Sequence, residues 1–108
     1  MPCVEAGETH RSKDDAERFI KQCLQDGAIK ETHHFRCELD KEGLSIVDAQ
    51  IVIRRGYVFD EPELDIRTGE WKYRIAGTAP EGLFVTIVFC IDCDGYAVLI
   101  TVFCDRAS

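Results

Sequence analysis

Nine residues, Leu83-Phe-Val-Thr-Ile-Val-Phe-Cys-Ile91, constrain this chain more than any others, because a single hydroxyl is their only polar group. The run is about half of the ~20 residues a membrane helix needs, and it is rich in β-branched and aromatic side chains, so it predicts a strand. Leu83, Val85, Ile87, Phe89 and Ile91 alternate with Phe84, Thr86, Val88 and Cys90. Both sets are largely apolar, which places the strand in the middle of a sheet. Two further strands flank it. Trp71-Lys-Tyr-Arg-Ile-Ala-Gly77 puts Trp71, Tyr73 and Ile75 on one face and Lys72 and Arg74 on the other, and Tyr96 to Cys104 is apolar again. Thr78 to Gly82 and the dipeptide Asp94-Gly95 supply the turns, the second being suited to a tight hairpin.

Upstream the period changes from two to three or four. Ala16, Phe19, Ile20, Cys23 and Leu24 form one helical stripe, with Ser12 as N-cap, Asp15 three residues on, and Gly27 as the stop. A second helix is predicted from about Thr32 to Glu42 and closes at Gly43. A third runs from Ile46 to Arg55, capped by Ser45 with Asp48 and ending at Gly56. Tyr57-Val-Phe59 reads as a brief edge strand, followed by an acidic loop that reaches Gly69. Residues 1–11 lack periodicity and are expected to be frayed. The expected architecture is a single α+β domain over residues 12–104, with two or three N-terminal helices packed on a three- to four-stranded antiparallel sheet.

The 108 residues carry 13 Lys and Arg against 20 Asp and Glu, a net charge of −7. This disfavours an open nucleic-acid platform but leaves room for a local cationic site. The start of the chain has no cationic segment followed by an apolar one, so the expected compartment is the cytoplasm and no membrane association is expected. In that compartment six cysteines are expected to be thiols.

Three sets of residues offer chemistry. Cys90-Ile-Asp-Cys93 is half of a zinc site, since a closed site needs four ligands and no second pair or nearby histidine completes it. No cofactor or metal is therefore expected, although a small metal-binding protein using Cys90, Cys93 and a histidine remains an alternative. His33-His34 opens the second helix, and imidazole can give and take a proton near neutral pH. Lys72 and Arg74, one rung apart on one strand face, could clamp a phosphate, or could equally be a solvated face balanced by Asp60, Asp65 and Glu70.

The segment His34-Phe-Arg-Cys-Glu-Leu-Asp-Lys-Glu-Gly-Leu-Ser45, the helix ending at Gly56, Tyr73-Arg-Ile-Ala-Gly77 and Leu99-Ile-Thr-Val-Phe103 together resemble a bacterial family of uncharacterised small proteins grouped with RelE-like and BrnT-like toxins. The resemblance covers roughly residues 32–104, with His34, Gly43, Gly56, Arg74, Gly77 and Thr101 at its signature positions. It implies helices on a twisted antiparallel sheet whose shallow cationic face holds messenger RNA and, in active members, cleaves it without metal. It also implies an antitoxin-like protein partner. On that basis Arg74 and Lys72 are the expected phosphate ligands and His34 the expected proton-transfer group of a metal-independent ribonuclease or of a degenerate copy. The chain departs from the pattern at Glu42, where a basic residue is common, at Thr86, where a histidine often opens the apolar strand, and at Phe103, where Tyr is frequent. The rival expectation is a noncatalytic module that binds a protein partner through its surface or self-associates as a homodimer through the sheet.

Overall fold

The computed structural model describes residues 10–105. Three helices pack on a five-stranded mixed sheet, in the order α1 (Lys13–Asp26), β1 (Ile29–Glu31), α2 (His33–Lys41), α3 (Ile46–Arg55), β2 (Glu63–Asp65), β3 (Glu70–Thr78), β4 (Phe84–Ile91) and β5 (Ala97–Asp105), with strand order β1-β5-β4-β3-β2. The α+β class is as expected, and β4 does lie in the middle of the sheet.

Each helix starts and stops where its caps dictate. Ser12, Thr32 and Ser45 accept from the backbone N–H groups of Asp15, Phe35 and Asp48, and the Asp48 carboxylate accepts in return from the Ser45 N–H, closing a capping box. Gly27, at φ 74°, sends its N–H back to the carbonyls of Cys23 and Leu24 and ends α1. Lys21 caps α3 from outside: its Nζ donates to the carbonyl oxygens of Arg54 and Gly56, both at 2.8 Å, placing a cation on the negative end of that helix.

Two features of the sheet differ from the expectation. It has five strands, and it is mixed, because β1 pairs parallel with β5 through Ile29↔Ala97 and Glu31↔Leu99. Three residues of which only Ile29 is apolar leave no periodic signal, so β1 is set by its partner. The expected edge strand at Tyr57–Phe59 reduces to one bridge, Tyr57↔Ala76, while Val58 turns inward and donates its N–H to Glu17 Oε1 at 2.8 Å. The edge strand beside β3, β2, forms from part of the predicted acidic loop.

The core is one cluster in which Ile20, Phe35, Val52, Ile53, Tyr73, Ile75, Val85, Ile87, Phe89, Leu99 and Val102 are fully buried. Tyr73 and Phe89 stack with centroids 5.4 Å apart. Between β4 and β5 the register passes from Val88↔Thr101 to Phe89↔Leu99, leaving Ile100 without an opposite residue. This bulge turns both Leu99 and Val102 to the core despite their three-residue spacing. The Thr32 hydroxyl, already capping α2, donates to the carbonyls of Leu99 and Ile100 and ties the helix start to the bulge. The β4–β5 hairpin turns through Cys93, Asp94 and Gly95, a three-residue loop with Gly95 at φ 86°, and not through a two-residue Asp94-Gly95 turn.

The expected frayed segment lies outside the described residues as far as Thr9. His10 and Arg11 are described: the Arg11 N–H donates to the Tyr73 hydroxyl at 3.0 Å, and its guanidinium lies over Phe19 at 4.5 Å. No helix among the described residues is long and apolar enough to cross a membrane.

Candidate functional site

Strand pairing fixes what shares the face of the sheet away from the buried side chains. Arg74, Val88 and Thr101 form one row across β3, β4 and β5; Ala76, Thr86 and Phe103 form the next; Thr78, Phe84 and Asp105 form a third. Phe84 and Phe103 are 41% and 46% exposed, a large amount for aromatic residues in two inner strands of a sheet. Tyr57 and Phe59, also exposed, rise along the β3 side.

Three open hollows join on this face. The first, about 500 Å³, is lined by Arg55, Tyr57, Phe59, Gly77, Pro80 and Phe84 among others. The second, about 310 Å³, shares Phe59, Ala76 and Phe84 with it and adds Asp60, Arg74, Thr86 and Phe103. The third, about 280 Å³, shares Arg74 and continues over Lys72, Arg67, Glu63 and Asp65. Together they make a trough along β3 with aromatic rings in its middle and guanidinium or ammonium groups along its length.

The cations are not bare. Arg74 Nη1 pairs with Glu63 Oε1 at 2.7 Å, and Lys72 Nζ pairs with Asp65 Oδ2 at 2.8 Å. Both pairs run diagonally, since Glu63 sits opposite Lys72 in register and reaches past it to Arg74. The Lys72 hydrogen bond, helped by the Arg67 backbone N–H, holds the Asp65 carboxyl below its usual pKa. Arg55 has no ion-pair partner among the described residues.

Lys72 and Arg74 thus sit where alternation places them, on the outward side of β3. The structure does not bring His34 to them. His34 is exposed in the first turn of α2, an element packed against β5, and β4 and β5 separate that side of the sheet from β3. Its neighbour His33 lies 3.4 Å from the Cys37 thiol, one helical turn away, and His10 stacks on Trp71. None of the three histidines contacts Arg74 or Lys72. The residues that do gather around Arg74, namely Thr86, Phe103, Phe84 and Phe59, escape a one-strand reading. Thr86 and Phe84 are brought there by the β3–β4 register, and Phe103 by the β4–β5 register beyond the bulge at Ile100.

Cys90 and Cys93 do not act as a pair. Cys90 is buried, with its thiol 3.6 Å from Glu70 Oε2; burial first, and the nearby Glu70 carboxylate second, push its pKa up to about 12. Cys93 is disulfide-bonded, contrary to the expectation of thiols throughout, whereas Cys23, Cys37, Cys90 and Cys104 form no disulfide. Among the described residues no three His, Cys, Asp or Glu side chains group as metal ligands.

Residues 31–104 match a family described as a domain of unknown function, DUF4258. The chain belongs to that family. Its span takes in α2, α3 and β2 through β5, and so every residue lining the trough, while α1 precedes it. No curated protein and no solved structure matches the chain.

Proposed function

We propose that the chain is a RelE/BrnT-like toxin-type domain of a toxin–antitoxin pair that binds single-stranded RNA on the outward face of its sheet and does not cut it. The observation that carries this reading is the meeting of Arg74, Thr86 and Phe103 around one hollow. Two positions at which the chain departs from the toxin-like pattern, Thr86 and Phe103, are direct cross-strand partners, and Arg74, a position that keeps the pattern, lies one row away. Under this reading the site on this face keeps its guanidinium and lacks an imidazole and a phenol.

The chemistry follows from those groups. The Arg74 guanidinium offers a planar fork to phosphate oxygens, and the aromatic rings beside it offer stacking surfaces to unpaired bases. Cleavage without metal would require the RNA 2′-oxygen to lose its proton as it attacks phosphorus, and the departing 5′-oxygen to gain one. The Thr86 hydroxyl is not basic at neutral pH and Phe103 has no proton to give, so phosphate is held and not turned over.

The test is a labelled oligoribonucleotide with chelator present. Binding that weakens with salt, and no product, is the expected result for the wild type. Thr86→His combined with Phe103→Tyr should yield fragments ending in a cyclic 2′,3′-phosphate. Cleavage by the wild type would overturn the non-cutting assignment, and absence of binding at low ionic strength would overturn RNA as the ligand.

A second reading, a noncatalytic protein-interaction module, is favoured by one observation: Tyr57, Phe59, Phe84 and Phe103 expose aromatic surface of the kind protein partners bury. Under that reading an antitoxin-like partner occupies the trough and RNA fails to bind.

A further inference from the structure

Glu63 and Asp65 reach the open face from an edge strand only three residues long whose one sheet neighbour is β3. Little apolar packing holds that strand down. Leu64 is partly exposed and Ile66, in the following turn, is 87% exposed. What fastens β2, besides its short ladder, is the pair of salt bridges from Glu63 to Arg74 and from Asp65 to Lys72. Elements of this kind, with few buried contacts and a solvent-exposed edge, open at the low end of a protein's stability range.

The two carboxylates are one strand repeat apart, about 6.8 Å along the chain. That is close to the separation of neighbouring phosphates in an extended nucleic-acid strand. Each carboxylate presents oxygens to a cation as a phosphate would. Arg67, 3.7 Å from Asp65, belongs to the same charged group, so three cations face two anions in one hollow.

We propose that β2 is a self-occluding strap: Glu63 and Asp65 stand in for two successive phosphates on Arg74 and Lys72, and a single-stranded phosphate polymer binds by displacing them. This rests on the RNA-binding reading above and adds a resting state to it. The strap reconciles a cationic trough with an acidic protein, since in the absence of ligand the protein's own carboxylates fill the sites. It also sets a threshold, because only a ligand with consecutive phosphates can replace both carboxylates together, whereas a single phosphate competes with one at a time.

Glu63→Gln with Asp65→Asn removes both charges, and the amide oxygen that the second change leaves can still accept from the Arg67 N–H, as Asp65 Oδ1 does now. Two probes separate the inference from the reading beneath it: oligouridylate and inorganic polyphosphate. The double variant should bind both roughly five- to tenfold more tightly than the wild type, with a steeper dependence on salt, and adding Arg74→Ala should cancel the gain. Asp14→Asn with Asp40→Asn changes the net charge equally, at α1 and α2, and should give no comparable gain. Unchanged affinity for both probes, or an equal gain in the α1/α2 control, would overturn the strap. A gain for polyphosphate without any binding of oligouridylate would uphold the strap and overturn RNA as the ligand.

Discussion

Gly77 on β3 lies directly against Gly56 at the end of α3: a Cβ built on Gly77 would stand 2.9 Å from the Gly56 Cα. A Cβ on Gly56 would come within 2.5 Å of the Val52 carbonyl oxygen and 2.6 Å of the Ala76 carbonyl oxygen. Both obstacles are backbone, so no side chain can swing aside. This contact sets how closely the third helix end approaches the sheet, and hence where Tyr57 and Phe59 rise beside the trough.

Gly77→Ala should therefore destabilise the fold by about 1–3 kcal/mol, and Gly56→Ala by at least as much. Chemical denaturation reads both. Midpoints within error of wild type would mean that α3 can lift from β3 without cost.

Lys21→Ala should cost about 1–2 kcal/mol, because it removes two hydrogen bonds and a cation from the carbonyl end of α3. Lys21→Arg should recover part of the loss in thermal melts. An Ala variant as stable as wild type would show that water replaces the ammonium there without penalty.

Much of this fold is legible in the chain, and the parts that are not share a cause. The helix boundaries follow from local chemistry at Ser12, Gly27, Thr32, Ser45 and Gly56, which act on their own neighbours. The central position of β4 follows from its two apolar faces. By contrast β1, the edge strand β2 and the bulge at Ile100 exist only through strand partners elsewhere in the chain or through cross-strand charges, which no short window of sequence carries. The site divides in the same way. Alternation puts Lys72 and Arg74 on the outward face, but the pairing of Thr86 with Phe103 and the capture of both cations by β2 are tertiary facts. His34 illustrates the converse: imidazole chemistry makes it a candidate, and its seat on α2 separates it from Lys72 and Arg74.

Acid should erode stability through two carboxylates. Partial burial pulls the Asp92 pKa up, but Lys30 at 2.8 Å and the N–H groups of Tyr96 and Asp94 outweigh it and leave the value lowered; Asp65 is lowered chiefly by Lys72. Lowered folded-state values mean that their stabilisation is complete above the unfolded carboxylate pKa of about 3.9 and is lost as pH falls below that range. Melting temperatures measured from pH 7 to pH 2.5 should fall most steeply at the acid end, and Asp92→Asn should flatten that limb. An unchanged slope in the variant would remove Asp92 from the account.

Thiol labelling of the native protein should proceed first at exposed Cys37, with buried Cys23 and Cys90 modified only on unfolding. Peptide mapping after brief alkylation distinguishes them. Reduced protein should also carry no stoichiometric zinc; one zinc per chain, lost on Cys93→Ala, would contradict the reading of Cys90 as a core residue.

The proposed function makes Arg74 a ligand-binding group and not a structural one. Its bridge to Glu63 joins two side chains at least half exposed, an arrangement worth at most about 1 kcal/mol, so stability and binding should separate. The measurement is oligoribonucleotide affinity at low and moderate salt, alongside the melting temperature, for wild type and Arg74→Ala. Arg74→Ala should show at least a tenfold loss of affinity, a shallower salt dependence and a melting temperature within a few degrees of wild type. A large fall in melting temperature with RNA affinity unchanged would contradict it, and would make Arg74 an ion-pair residue of the sheet.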